Sequence, residues 1–228
     1  MVTLKNNNTR LELHDIKSFE KLFREETFDL SIVKELLISG SAIDDFSFIN
    51  QMASLKKLAF LACKGNSWDS IPGLDTLKVL RLHNIKQNKE YIKNIDFIAK
   101  FQNLEYIYLK MLGIEAFPAL ATLDKLHTVC CSNRKLNDYS SLEYAKSLDT
   151  FIGWMETDNH RTPAEAFIPI LKNKSLTAFQ YVQRSNVEEK KLDALVKEYC
   201  PDITSPIDSF PNGVLNNEKT MSIIANFF

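Results

Sequence analysis

The chain has 228 residues, 45% of them hydrophobic and 25% charged, which is enough apolar material for a substantial core. Lys and Arg number 28 against 29 Asp and Glu, so the formal net charge of -1 excludes a global positive field for nucleic acid or anionic lipid. Six Gly and seven Pro exclude a collagen-like or low-complexity chain, and no run of about 18 apolar residues offers a membrane span.

The first residues turn polar at Asn6, Asn7 and Asn8 without the apolar centre of a secretory signal, which fits a cytoplasmic protein. Leu11 and Leu13 resemble a degenerate strand. Residues 16–25 put Ile16, Phe19, Leu22 and Phe23 on one helical side, so residues 1–32 are expected to form an N-terminal cap.

From Val33 onward, apolar residues at positions 1, 4 and 6 recur seven times. They are Val33/Leu36/Ile38, Leu55/Leu58/Phe60, Leu77/Leu80/Leu82, Leu104/Ile107/Leu109, Leu126/Val129/Cys131, Leu148/Phe151/Gly153 and Leu176/Phe179/Tyr181. Successive starts differ by 22, 22, 27, 22, 22 and 28 residues. Positions 14, 17 and 20 are apolar as well, as in Phe46/Ile49/Met52, Trp68/Ile71/Leu74, Phe117/Leu120/Leu123 and Tyr139/Leu142/Ala145. A period of two that becomes a period of three predicts a short strand followed by a 3₁₀-like or helical return. A single unit cannot bury its apolar side, so neighbours must stack into a continuous core over residues 33–183.

Two units are stretched. The insertion from Gln87 to Asn94 predicts an α-helical return through Ile95, Ile98 and Phe101. The sixth unit carries Met155 to Pro163 and then a helix through Phe167, Ile170 and Leu171, with Thr162 as N-cap and Pro163 at its first position. Residues 184–228 begin with an amphipathic helix from Val187 to Tyr199, stopped by Pro201. Beyond it lie Pro206, Pro211 and an apolar finish of Met221, Ile223, Ile224, Phe227 and Phe228. That finish is compatible with packing on the last unit, with insertion into a partner, or with disorder.

These units resemble leucine-rich repeats of the short class found in internalin-like proteins, over about residues 30 to 183. The resemblance implies an α/β fold: a curved, right-handed leucine-rich repeat solenoid with a parallel inner sheet and a 3₁₀ or helical outer side. It also implies protein recognition as the general role. Position 9, often Asn or Cys in such repeats, reads Ser41, Cys63, Ile85, Leu112, Arg134, Glu156 and Arg184, with Asn84 and Asn133 one place early. Gly153 and Asn173 stand where an apolar residue is usual.

Enzymatic motifs fail one by one. The sequence has no Gly-rich phosphate loop, GxSxG elbow, HExxH helix or paired CxxC, and a non-enzymatic protein without cofactor or small-molecule substrate is expected. His14, His83, His127 and His160 fall in separate units. Even His83 and His127 would stand roughly 10 Å apart on a shared surface, so no metal site is expected. Cys130 beside His127 invites a Cys/His reading, but no third group orients it. Cys63, Cys130, Cys131 and Cys200 show no paired spacing and are expected to be reduced thiols, with Cys130 and Cys131 pointing oppositely from one strand.

The remaining candidate is the sheet surface. Position 5 reads Leu37, Ala59, Arg81, Tyr108, Cys130, Ile152 and Gln180, and position 7 reads Ser39, Leu61, His83, Lys110, Ser132, Trp154 and Val182. Together with Tyr106 at position 3, the partner-binding candidates are Arg81, His83, Tyr106, Tyr108, Lys110, Ile152 and Trp154. Tyr, Trp and Arg dominate binding energy at protein interfaces. Lys34, Lys56 and Lys78 at position 2 favour a protein partner with an acidic patch over nucleic acid or membrane. The expected function is therefore protein–protein interaction through the concave sheet face. An immunity or inhibitor protein against a toxin or enzyme, and an internalin-like surface or secreted protein acting on a host, stand as alternatives.

Overall fold

The computed structural model describes residues 1–25, 28–120, 122–133, 135–154, 162–182 and 185–203. The chain opens with strands β1 (Val2–Lys5) and β2 (Arg10–His14), helix α1 (Phe19–Glu25), then β3 (Glu35–Ser39) and β4 (Ala42–Ile43). It continues with β5 (Lys57–Leu61), β6 (Lys64–Gly65), β7 (Val79–His83), β8 (Lys86–Gln87), β9 (Glu90–Tyr91) and β10 (Tyr106–Lys110). It ends with β11 (Thr128–Ser132), β12 (Thr150–Trp154), helix α2 (Ile168–Leu171), β13 (Ala178–Val182) and helix α3 (Asn186–Tyr199).

Nine strands form one sheet in the order β1-β2-β3-β5-β7-β10-β11-β12-β13. Only β1 runs antiparallel to its neighbour; every other pairing in this sheet is parallel. The register matches the sequence columns without a slip: Leu36, Leu58, Leu80, Ile107, Val129, Phe151 and Phe179 pair in succession. These residues are buried in one continuous apolar core. The architecture is a leucine-rich-repeat solenoid, and each rung buries what its neighbours leave uncovered.

Backbone hydrogen bonds repeat with the side chains. Just before each strand, one carbonyl accepts from two amides of the next rung. Lys34 O accepts from Lys56 and Lys57, Lys78 O from Glu105 and Tyr106, and Asp149 O from Thr177 and Ala178. The return segments are largely 3₁₀, and the apolar period of three is their hydrogen-bond period. Ile49 donates to Phe46, Met52 to Ile49 and Leu55 to Met52, and the same chain of bonds runs Ile98 to Ile95, Phe101 to Ile98 and Leu104 to Phe101.

The exit from each strand has its own ladder. Asp15, Gly40, Ala62, Asn84 and Met111 all take positive φ between 53° and 61°. Each then donates its amide to the last strand carbonyl of the following rung, as in Gly40 to Leu61 O (2.9 Å) and Met111 to Ser132 O (3.0 Å). Non-glycine residues rarely adopt this region, so a hydrogen bond at each step offsets repeated local strain. Asn133 is the next residue in this series and is absent from the positive-φ group. Its side chain satisfies the turn instead, accepting from Leu112 N (2.8 Å) and donating to Leu109 O (3.4 Å).

Several expectations are corrected. The third-unit insertion is a hairpin, not an α-helix. Asn88 and Lys89 have φ of 50° and 69°, and the register pairs Gln87 with Glu90. Two central residues of positive φ make the hairpin turn whose twist matches its strands. The following return, Asp96–Lys100, is 3₁₀. Gly113 admits the hairpin, because a Cβ there would lie 2.9 Å from Tyr91 O. At the N-terminus, Leu11 and Leu13 belong to a fully paired rung, with β1 folded back over it through Asn6, Asn7 and Asn8, all of positive φ. Within α1 only Phe19 is buried.

In the sixth unit Pro163, not Thr162, is the N-cap of the 3₁₀ segment Ala164–Phe167, which leads into α2. Glu188 of α3 reaches back to accept from Ala164 N at 2.9 Å. Gly153 and Asn173 also acquire reasons. A Cβ at Gly153 would stand 2.4 Å from the Tyr181 ring, so the missing side chain on one rung is filled by the next. Asn173 is buried and donates to Leu142 O (2.7 Å) and Ala145 O (2.9 Å), tying one return segment to another. The sixth-unit loop from Met155 to Arg161, Arg134, Arg184 and the apolar finish from Met221 to Phe228 lie outside the described residues.

Candidate functional site

Strand alternation turns positions 3, 5 and 7 away from the core, onto the open side of the sheet. There the register sets Tyr108 beside Arg81 and Cys130, and Lys110 beside His83 and Ser132. Ile152 follows Cys130 on the next strand. The seven residues expected from the sequence therefore lie on three strands, β7, β10 and β12, with β11 between the last two.

They do not contribute alike. Val79, Tyr108, Cys130 and Ile152 form a second apolar cluster separate from the main core, with Tyr106 and Trp154 packed against it. Ile152 is 3% exposed and Tyr108 7%, so both are buried and act as a support for the more exposed Trp154. The Tyr108 and Trp154 rings meet at 5.9 Å with a tilt of 52°. The Arg81 guanidinium lies 4.9 Å from the Tyr108 ring centre, and Lys110 Nζ lies 5.9 Å from that of Trp154. Both are within cation–π range. His83 is half-buried, and burial, followed by the charges of Lys110 and Arg81, lowers its pKa below the usual imidazole value.

Cys130 and Cys131 diverge as expected, Cys131 joining the main core and Cys130 the open-face cluster. Burial pushes the Cys130 thiol up to about 12, so at neutral pH it holds its proton and is a poor nucleophile. His127 instead sits 3.6 Å from Asp149. Cys63, Cys130, Cys131 and Cys200 are free. Among the described residues, no group of three or more His, Cys, Asp or Glu is placed to hold a metal ion. No helix among them is long and apolar enough to cross a membrane.

A second charged group on this face was not anticipated. Glu12 accepts from Arg10 Nε (2.8 Å), pairs with Lys5 (2.8 Å) and lies 3.7 Å from His14 Nε2. His14 Nδ1 shares a 2.6 Å hydrogen bond with Ser39 Oγ, while Glu35 pairs with Arg10 (3.5 Å) and Lys57 (3.4 Å). Ser39, His14 and Glu12 are ordered like nucleophile, base and acid. However, Glu12 is committed to two cations, and the Gly40 amide next to Ser39 is spent on Leu61 O. The alternation of Leu11 and Leu13 was the one signal in the sequence that Glu12 shares a face with Arg10 and His14.

No family model matches the chain, and no curated protein matches it. Among solved structures, it is similar to an internalin C2 of Listeria monocytogenes, at 15% identity and a TM-score of 0.49 over 67% of this chain and 62% of that one. It is also similar to a second Listeria monocytogenes internalin, at 13% and 0.46 over 86% of this chain and 59% of that one. A leucine-rich-repeat protein of Leptospira interrogans is similar at 16% and 0.38, over 77% of this chain and 55% of that one. The chain thus spans less than two thirds of the length of each. Its repeat architecture is established by its own strand register.

Proposed function

We propose that the chain is a non-enzymatic protein-binding module whose open sheet face grips a partner protein. The supporting observation is the arrangement around Tyr108 and Trp154: two large rings in mutual contact, each with a cation over it, on a surface turned away from the core. Rigid aromatic side chains lose little conformational entropy on binding, and a packed support beneath them lowers that cost further. A standard interface buries about 800 Å² on each side, an area that several adjacent strands can supply. Lys34 and Lys56 at the strand entrances favour a partner with an acidic patch. Four free cysteines, three of them buried, suit a reducing compartment such as the cytoplasm.

The test is affinity capture from the native cell with mass spectrometry, followed by calorimetry on the captured partner. Trp154→Ala and Tyr108→Ala are each expected to weaken the complex by about 2 kcal/mol or more, roughly thirtyfold. Undiminished affinity in both variants, with unfolding transitions intact, removes this face as the interface.

A further inference from the structure

The open face contains polar groups that neither the fold nor its own charges satisfy. Among the described residues, Arg81 Nε is shut off from water without a hydrogen-bond partner, and Ser132 Oγ, on a residue only 1% exposed, is in the same state. Lys110 lies between them: it pairs in register with His83 on the Arg81 strand and with Ser132 on the other side. Among the described residues neither Arg81 nor Lys110 has a carboxylate within ion-pair distance, whereas Lys57 and Lys78, on neighbouring rungs, each have one. An orphaned buried donor destabilises the fold, and more so when it carries charge. Both orphaned atoms are enclosed, so a ligand meets the outer nitrogens of the partly buried Arg81 guanidinium and the ammonium of Lys110, two cations that have no carboxylate among the described residues.

We propose that Arg81 and Lys110 form a carboxylate seat that receives an Asp or Glu side chain of the partner, while Trp154, backed by Tyr108, holds an apolar residue next to it. This rests on the protein-binding reading above and names the chemistry of its contact. A guanidinium and an ammonium together match the two oxygens of a carboxylate. His83, held neutral by burial and by the two cations, keeps one ring nitrogen as a donor and adds no third positive charge. A single carboxylate on an extended peptide meets only the cations.

The experiment uses the full chain and small probes. The ¹⁵N resonance of Arg81 Nε–Hε and the indole resonance of Trp154 are followed during titration with acetyl-Asp-Phe-amide, acetyl-Asn-Phe-amide or inorganic phosphate. The Asp peptide is expected to move both resonances and to bind about tenfold more tightly than the Asn peptide. Arg81→Gln and Lys110→Gln are each expected to reduce that preference to near unity, and Lys110→Gln decides the matter if the Arg81 variant misfolds. Equal affinity for the two peptides, no movement of Arg81 Nε–Hε, or tighter binding of phosphate than of the Asp peptide each overturns the seat. The captured partner separates the two proposals. If Trp154→Ala abolishes its binding and Arg81→Gln leaves it unchanged, the interface stands and the seat falls; if neither variant matters, the interface itself is wrong.

Discussion

The open face of the sheet carries two groups of charge that were built from similar residues and ended differently. On β2 and β3, Arg10, Glu12, His14 and Glu35 close a network with Lys5 and Lys57, and each carboxylate meets at least two cations. On β7 and β10, Arg81 and Lys110 each lie beside a ring, and neither they nor His83 has a carboxylate partner among the described residues. The first group lies where β1 folds back against β2, so its charges are consumed in fixing an edge of the sheet. The second lies in the middle of the sheet, where the parallel ladder is complete without it. A charge that the fold does not use is the one left for recognition. The contrast therefore assigns stability to one group and binding to the other, and each half can be broken separately.

The largest effect on stability is expected from Glu12→Ala. The variant leaves Arg10 and Lys5 without their shared acceptor and should cost about 1–2 kcal/mol of stability, read as a lower midpoint in urea unfolding. Affinity for the captured partner should not change. A loss of affinity with no loss of stability would reverse the assignment of the two groups.

Arg81→Gln should show the converse. Its guanidinium makes no ion pair among the described residues and its buried Nε is unsatisfied, so the variant should be no less stable than the parent, to within about 0.5 kcal/mol. Partner binding should fall. A destabilisation as large as that of Glu12→Ala would show that Arg81 serves the fold, and the comparison would dissolve.

The difference between the two groups was only half legible in the sequence. The columns of positions 5 and 7 follow from strand alternation alone, so Arg81, Tyr108, Lys110 and Trp154 could be placed on one face before any coordinates. The alternation of Leu11 and Leu13 put Glu12 on a face with Arg10 and His14 but not beside Glu35 and Lys57, because residues 10–14 precede the regular spacing and their unit is 25 residues from the next, as the pairing of Leu11 with Leu36 shows. The hairpin from Lys86 to Tyr91 was missed for a related reason. Its apolar residues fit a helical count, and the deciding feature was the left-handed backbone at Asn88 and Lys89. Asn173 and Gly153 looked like damage to the repeat. Each is a response to a neighbour on another unit, Asn173 to the carbonyls of Leu142 and Ala145, Gly153 to the Tyr181 ring. Residue spacing encodes what each unit shares with the others, whereas such contacts depend on which unit comes next.

The smallest effect lies in the response to acid, and it probes both groups in one titration. The Glu12 carboxyl is held below its ordinary value of 4.5, first by the hydrogen bond from Lys5 and against the opposing effect of burial. Its contribution is therefore intact above that value and is lost as pH falls through the lowered folded pKa. His83 is also lowered, from 6.5, by burial and by Lys110 and Arg81. The unfolded chain then takes up the His83 proton at a higher pH than the folded one, so stability begins to fall as pH drops below 6.5 and stops falling once the folded imidazole is protonated. Two separate windows are expected, and substitutions should remove them one at a time. Lys110→Gln deletes one repelling charge, so the His83 ring resonance should titrate at higher pH and the upper window should narrow, while the Glu12 window stays where it was. An occupied carboxylate seat should shift His83 in the same direction, because the bound anion offsets Lys110 and Arg81 together. A His83 titration that ignores the loss of Lys110 would mean that this ammonium is not focused on the ring, leaving burial and Arg81 to lower its pKa.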